Sequence, residues 1–266
     1  MKNILIIGAN GFTGRRILND LSVNPIYHVT GCSLRDDICP GKDYRFVRTD
    51  IRDENEVRKL FKECRPDIVI NTSALSVPDY CETHHAEAEA TNVTAVETIA
   101  HVCEQYGSRF IHLSTDFVFD GKSTRLYKEE DEAIPVNYYG VTKLKAEKII
   151  ASICSNYAIV RVVVVYGKAL PGQHGNILQL VANRLRNGET IRVVSDQWRT
   201  PTFVGDISVG VEKLMFHTAN GIYHICGSEC LTIAEIAYRV ADFLKLDRSL
   251  IEPVTTEEMK EVTPRP

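Results

Sequence analysis

Tyr139 and Lys143 stand four residues apart in Tyr139-Gly140-Val141-Thr142-Lys143, so a helix there presents a phenol and an ammonium on one face. A free phenol titrates near ~10 and exchanges protons poorly at neutral pH. A neighbouring ammonium favours the phenolate and brings it towards the working range. Such a pair can protonate a carbonyl oxygen during reduction or deprotonate an alcohol during oxidation. The spacing alone is common on surface helices. It gains weight from Leu113-Ser114-Thr115-Asp116, which ends an apolar run and supplies a strand-end hydroxyl able to bond the same oxygen.

A hydride source is expected at the other end of the chain. Ile4–Ile7 runs into Gly8-Ala9-Asn10-Gly11-Phe12-Thr13-Gly14, a G-x-x-G-x-x-G turn that opens a helix. Gly8 permits the sharp turn, Gly11 lets a pyrophosphate approach the backbone, and Gly14 lets helix and sheet pack closely. Free N–H groups at the helix end receive the phosphate charge. With a strand before it and a helix after it, the turn predicts a nicotinamide dinucleotide site that includes Asn10 and Phe12. An oxidised nicotinamide would add to the pull on the Tyr139 proton.

The second strand ends Gly31-Cys32-Ser33-Leu34-Arg35, with no acid before Asp36 to bond a ribose 2′-hydroxyl. Ser33 and Arg35, with Arg15 beyond the turn, suit a 2′-phosphate, so NADP is favoured over NAD. Asp50-Ile51 follows the third strand, where a carboxylate and an N–H could hold the adenine edge. Helix capping is the alternative for Asp50.

These groups need strands and helices to carry them. Candidate strands are Ile4–Ile7, His28–Ser33, Tyr44–Val47, Ile68–Ile70, Arg109–Leu113 and Ala158–Val164. Candidate helices between them are Gly11–Leu21, Glu54–Lys62, His84–Tyr106 and Tyr138–Cys154. Continuous apolar strands separated by amphipathic helices predict an α/β fold, a doubly wound parallel Rossmann sheet covered on both faces. After about Gly167 the pattern changes to a loop (168–175), helices near Ile177–Arg186, Asp206–His217 and Ile233–Leu244, and strands at Ile191–Val194 and Ile222–Ile225. This predicts a dinucleotide-binding domain over 1–167 and a smaller substrate-binding lobe over 168–266, interleaved with the first. The polar tail 257–266 is expected to be loosely held.

A net charge of −4 gives no electrostatic case for nucleic acid or an anionic membrane. No apolar run approaches the ~20 residues of a membrane span, and Met1-Lys2-Asn3 leads straight into the first strand, so neither a span nor a signal peptide is expected. A soluble, cytoplasmic protein is expected, with a homodimer left open. The eight scattered cysteines contain no C-x-x-C pair and read as buried thiols; Cys226 and Cys230 lack the partners of a zinc site, so no metal is expected.

Taken together, these residues resemble the extended short-chain dehydrogenase/reductase superfamily. Ser114-Thr115-Asp116-Phe117-Val118-Phe119-Asp120-Gly121 is similar to the S-T-D-x-V-F-D-G signature of the dTDP-4-dehydrorhamnose reductase family. Asn71-Thr72-Ser73-Ala74, Asp79-Tyr80-Cys81-Glu82, Asn92, the stretch Asn137–Lys143 and Asp196–Thr202 also fit, so the resemblance covers nearly the whole chain. It implies NAD(P)H reduction of the C4 keto group of a nucleotide-linked 6-deoxyhexose. It also implies Thr115, Tyr139 and Lys143 as the catalytic set, with Asn92 supporting Lys143. Ser73 and Ala74 would face the cofactor, and Asp79, Asp116, Val118, Phe119 and Arg199 the substrate.

Two departures stand out. Val164 occupies the place where rhamnose-forming members carry a tryptophan that packs on the sugar. The family's C-terminal run continues past an Arg-Pro pair into another ordered segment, where this sequence has its last residues, Arg265-Pro266. The competing readings are a sugar-nucleotide epimerase or dehydratase on the same site, and a non-catalytic regulatory subunit resembling methionine adenosyltransferase β. Phe117 after Asp116 argues against a dehydratase, which usually places an Asp-Glu pair there.

Overall fold

The apolar run that leads into the glycine turn lies near the middle of the sheet. The computed structural model describes residues 1–40, 43–173 and 175–266; of the loop expected over 168–175, His174 lies outside the described residues. The chain runs β1 (Lys2–Ile7), α1 (Phe12–Ser22), β2 (Tyr27–Ser33), β3 (Arg45–Arg48), α2 (Glu54–Cys64), β4 (Ile68–Asn71), α3 (Pro78–Thr83) and α4 (His85–Glu89). A π turn at Ala90–Thr94 leads to α5 (Ala95–Tyr106), β5 (Arg109–Thr115), α6 (Tyr138–Ile153) and β6 (Tyr157–Val162). Then follow β7 (Val165–Tyr166), α7 (Ile177–Arg186), β8 (Ile191–Val194), β9 (Trp198–Arg199), β10 (Thr202–Phe203) and α8 (Val204–Phe216). The last elements are β11 (Gly221–Ile225), β12 (Leu231–Thr232), α9 (Ile233–Leu244), β13 (Ile251–Val254) and α10 (Thr256–Met259).

Seven strands form one parallel sheet in the order β11-β6-β5-β4-β1-β2-β3. The chain winds outward one way from β1 and the other way from β4, so the topological switch falls between those two strands. Ligands of such sheets meet the carboxyl ends of the strands at that crevice.

Alternate residues of one strand serve opposite faces. Ile4 and Ile6 of β1 pack with Ile17, Leu18 and Leu21 of α1 and Ile207, Val211 and Leu214 of α8. Leu5 and Ile7 pack on the other face with Phe61 of α2, Ile99 of α5 and Ile150 of α6. This two-sided burial explains why the strands read as unbroken apolar runs. A smaller core joins Val181 and Leu185 of α7, Val193 of β8, Ala237 and Ala241 of α9 and Ile251 of β13.

Three local expectations change. The helix expected over His84–Tyr106 runs from His85 to Tyr106 as α4, the π turn and α5, widened at Ala90–Thr94. The strand expected to reach Val164 stops at Val162, and Val164 takes a left-handed φ of +37°, a strained conformation for a β-branched residue. The tail is docked: Thr263 is buried, and the Asn137 side chain donates to the Pro264 carbonyl at 2.8 Å. Among the described residues, no helix is long and apolar enough to cross a membrane.

Candidate active site

At the carboxyl end of β1 the glycine turn leaves no room for side chains. A Cβ on Gly14 would stand 2.4 Å from the Gly8 carbonyl, and one on Gly8, where φ is +80°, 2.7 Å from the Ser73 nitrogen. The turn is thereby pressed against Thr72 and Ser73 at the end of β4. Gly11 opens α1 without a side-chain cap or a first-turn acid, leaving its N–H groups to an anion. Gln173, from the loop after β7, donates to the carbonyls of Asn10 and Gly11 at 3.0 and 3.1 Å. This cradle fits the pyrophosphate of a dinucleotide.

Around the β2 end the charges are arranged differently from the sequence expectation. Arg15 is buried and donates to Asp37 at 2.5 Å, to Asn10 Oδ1 at 2.8 Å and to the Tyr44 hydroxyl at 2.8 Å. It neutralises the nearby acid and does not reach towards a 2′-phosphate. Bonds donated by the Cys39 N–H, the Tyr44 hydroxyl and Arg15 hold the Asp37 carboxyl below its ordinary range against the opposing effect of burial. Asn10 donates to the carbonyls of Arg35 and Asp36, fixing the loop and leaving the Arg35 side chain exposed beside half-buried Ser33. Asp50 does not cap α2; Asp53 does. The Asp50 carboxylate is instead engaged by Arg52, and its N–H by Glu56. Ile51 packs against the α2 side of the core.

The candidate catalytic residues Thr115, Tyr139 and Lys143 meet at the end of β5. Asn137 caps α6 by accepting from Gly140 N–H at 2.9 Å. A Cβ on Gly140 would lie 2.1 Å from the Phe117 carbonyl, so only glycine lets the first turn of α6 sit against the turn Asp116–Val118. That approach brings the half-buried Tyr139 phenol to the Thr115 hydroxyl. Burial, and then the Asp116 charge, push the Tyr139 phenol up from its ordinary value, with the Thr115 bond opposing. The expected drop is therefore absent, and Tyr139 is a neutral proton donor near neutral pH. A neutral phenol beside a hydroxyl can give one proton and one hydrogen bond to the same oxygen.

Lys143 lies beneath, fully buried. Its Nζ donates to the Leu113 carbonyl at 2.7 Å and stands 2.9 Å from His112 Nε2. Burial pulls Lys143 down to about 8, with Glu147 opposing. Burial and the Lys143 charge keep His112 neutral, well below its usual range. Asn71 Nδ2 approaches the other ring nitrogen at 3.2 Å and accepts on Oδ1 from Ser73 N–H and Oγ. His112 is thus the side chain in direct contact with Lys143. Asn92, turned inward by the π turn, brackets the Leu75 backbone and donates to Thr142 Oγ1 at 3.1 Å. Ser73 and Ala74, half-buried, lie on the segment so fastened. A polar residue inside the otherwise apolar run Phe110–Leu113 was the available signal for His112.

A cleft of about 810 Å³ opens beside this centre, between the turns after β5 and β6, the segment 120–129 and residues 196–200. Asp116, Phe119 and Arg199 line it; Val118 does not, because its turn points that side chain fully into the core. Arg199 is buried and paired with Asp116 at 3.6 Å, so the two act as one wall. Burial raises the Asp116 carboxyl, with Arg199 and Thr115 opposing. Asp79 stands half-exposed and pairs with Arg265, which lines the cleft. Val163 reaches the lining, whereas Val164 does not. Trp198, 59% exposed, lies on the same lining, as do Cys226 and Cys230, both exposed and so departures from the buried thiols expected. Among the described residues no group of three or more His, Cys, Asp or Glu is placed to hold a metal ion.

The profile of the RmlD substrate binding domain matches residues 1–266. The chain belongs to this RmlD family. Among its RmlD-like relatives, the probable low-salt glycan biosynthesis reductase Agl14 of Haloferax volcanii is 30% identical over 98% of this chain and 86% of its own. The methionine adenosyltransferase 2 subunit beta of Xenopus laevis is 32% identical over 100% of this chain and 78% of its own. The dTDP-4-dehydrorhamnose reductase of Bacillus anthracis, solved in complex with NADP, superposes with a TM-score of 0.88 at 27% identity, covering 100% and 89% of the two chains. The RmlD assignment makes this chain a member of a sugar-nucleotide reductase family built for a nicotinamide cofactor.

Proposed function

We propose that the chain is an NADPH-dependent reductase of a nucleotide-linked 4-keto-6-deoxy sugar, with Thr115, Tyr139 and Lys143 as its catalytic residues. The observation that carries this reading is the Tyr139 phenol, kept protonated against Thr115 and one residue from the cleft wall at Asp116. A protonated phenol is the form needed to reduce a carbonyl. NADPH, when bound, supplies the hydride. Tyr139 gives its proton to the C4 oxygen while Thr115 donates a hydrogen bond to the same atom, where negative charge develops. The Lys143 ammonium, oriented by Leu113 and His112, lowers the cost of the phenolate left behind. Gly8, Asn10, Gly11, Phe12 and Gly14 hold the pyrophosphate end, with Ser73 and Ala74 along the same crevice. Arg35 and Ser33 meet the 2′-phosphate, which favours NADP over NAD. Asp116, Phe119 and Arg199 form the sugar side.

The test is oxidation of NADPH in the presence of a panel of dTDP- and UDP-linked 4-keto-6-deoxyhexoses. Turnover is expected with at least one, and Tyr139→Phe should lower it by at least ~10²-fold while NADPH affinity stays within a few-fold. A protein that binds NADPH but turns over none of the panel would instead fit a regulatory subunit. The methionine adenosyltransferase 2 subunit beta relative supports that second reading.

A further inference from the structure

The lining of the cleft includes one large aromatic side chain that the chemistry above does not use. Trp198 is the one tryptophan of the sequence, and 59% of its surface is exposed. Exposure of so large an apolar side chain calls for a reason. The neighbours on either side are both buried and tied down: Gln197 donates to Thr256 and Glu261, and Arg199 pairs with Asp116. The backbone itself is pinned, with Thr232 and Leu231 of β12 opposite Trp198 and Arg199 of β9. Alternation along a strand then directs the indole away from the Arg199 side chain, on a support that has little freedom to fold it back. No other aromatic ring packs on it among the described residues.

The position along the cleft selects the part of a ligand that would meet the ring. Arg199 reaches Asp116, which adjoins Thr115 at the reaction centre, so its side chain marks the inner end. Trp198 precedes it on the same two-residue strand and lines the same cleft, its indole turned away from that inner side chain. A sugar whose C4 oxygen lies at Tyr139 leaves its diphosphate and base to run along the rest of the cleft lining, where the indole is exposed. The lining also carries Lys128, 64% exposed at the side chain and only 4.0 Å from its nearest acid, Glu130, and Leu126, an exposed aliphatic group. A cation, an aliphatic group and an unpartnered indole match a nucleoside diphosphate better than a neutral sugar alone.

We propose that Trp198 is the platform on which the nucleobase of the nucleotide-linked substrate stacks. This assignment rests on the sugar-nucleotide reading above. The indole is also its own reporter, because no other tryptophan contributes emission. The experiment uses the full chain saturated with NADP⁺, which does not absorb in the emission band. Titration with dTDP and UDP should quench or shift the emission in step with binding measured by calorimetry, whereas glucose 1-phosphate should leave it unchanged. Trp198→Ala should weaken dTDP binding by about tenfold or more, and Trp198→Phe by less than about threefold, as expected for base stacking on an aromatic ring.

Calorimetric binding of dTDP with unaltered emission overturns the platform and leaves the substrate class standing. Equal quenching by glucose 1-phosphate overturns it in favour of the sugar or phosphate, and so does an unchanged affinity in Trp198→Ala. Failure of both nucleotides to bind overturns the platform and the sugar-nucleotide reading together. Wild-type titrations decide these cases even if a variant fails to fold.

Discussion

At the level of single residues, the proposed chemistry turns on the protonation states of Tyr139 and Lys143. Tyr139 is held up by burial and by Asp116, so it stays protonated across the whole neutral range. Lys143 is pulled down to about 8 by burial and therefore titrates first. For reduction, kcat/KM should be flat near neutrality and fall by one proton above pH about 8, as Lys143 loses the charge that offsets the developing phenolate. In Lys143→Met the profile should be lower throughout and lack that limb. A wild-type limb near pH 10 would instead assign the fall to another group. The proposed preference for NADPH also rests on single side chains. Arg15, which by position could reach a 2′-phosphate, is spent on Asp37, and Arg35 is the exposed cation that remains at the loop. Arg35→Ala should raise KM for NADPH by about tenfold and leave KM for NADH nearly unchanged, read from parallel steady-state assays.

Among the elements, the contact between α6 and the turn after β5 matters most, because it sets the distance from phenol to hydroxyl. Gly140→Ala would drive a methyl group into the Phe117 carbonyl. We expect a loss of about 1–3 kcal/mol in urea unfolding, as for overpacking elsewhere, together with a fall in kcat as Tyr139 is levered away from Thr115. Retention of full kcat would show that the spacing is not critical. The main strands were legible in the sequence because burial on both faces makes them continuous apolar runs. Ile177–Arg186 and Ile191–Val194 were legible to the residue, the first through its 3.6-residue period. The two-residue strands β7, β9, β10 and β12 were not, since pairs so short carry no periodicity and form only where tertiary contacts align them. The end of β6 was misjudged for a related reason: four consecutive valines from Val162 read as strand, yet the chain turns at Val164. Asn92 and His112 show the same limit at the site. Which of two polar residues faces Lys143 depends on a π turn and on sheet register, and neither is written in local spacing.

Considered as a whole, the molecule puts its reactive groups on the boundary between a rigid sheet and a less regular wall. Glu147 of α6 accepts a forked pair of bonds from Arg161 of β6 and another from Ser114 of β5, fixing the floor below Tyr139. The opposite wall is made of segment 120–131 and the chain beyond β6, held by Arg125 on Asp131 and by Glu129 accepting from the His224 N–H. On this wall lie the two exposed thiols, Cys226 and Cys230, whereas Cys32, Cys81, Cys103 and Cys154 are buried. Burial pushes the Cys32 and Cys154 thiols up to about 12, which further suppresses the nucleophilic thiolate there. The contrast makes the protein a natural subject for covalent footprinting. Brief treatment with iodoacetamide, read by peptide mass mapping, should modify Cys226 and Cys230 well before the four buried thiols. A bound sugar nucleotide should shield them, so that alkylation rate becomes a measure of cleft occupancy without any turnover; equal labelling of Cys32, Cys81, Cys103 and Cys154 would contradict their burial. In practical terms, a maleimide dye or spin label placed at these two positions would sit on the rim where a ligand enters, with no engineered cysteine required.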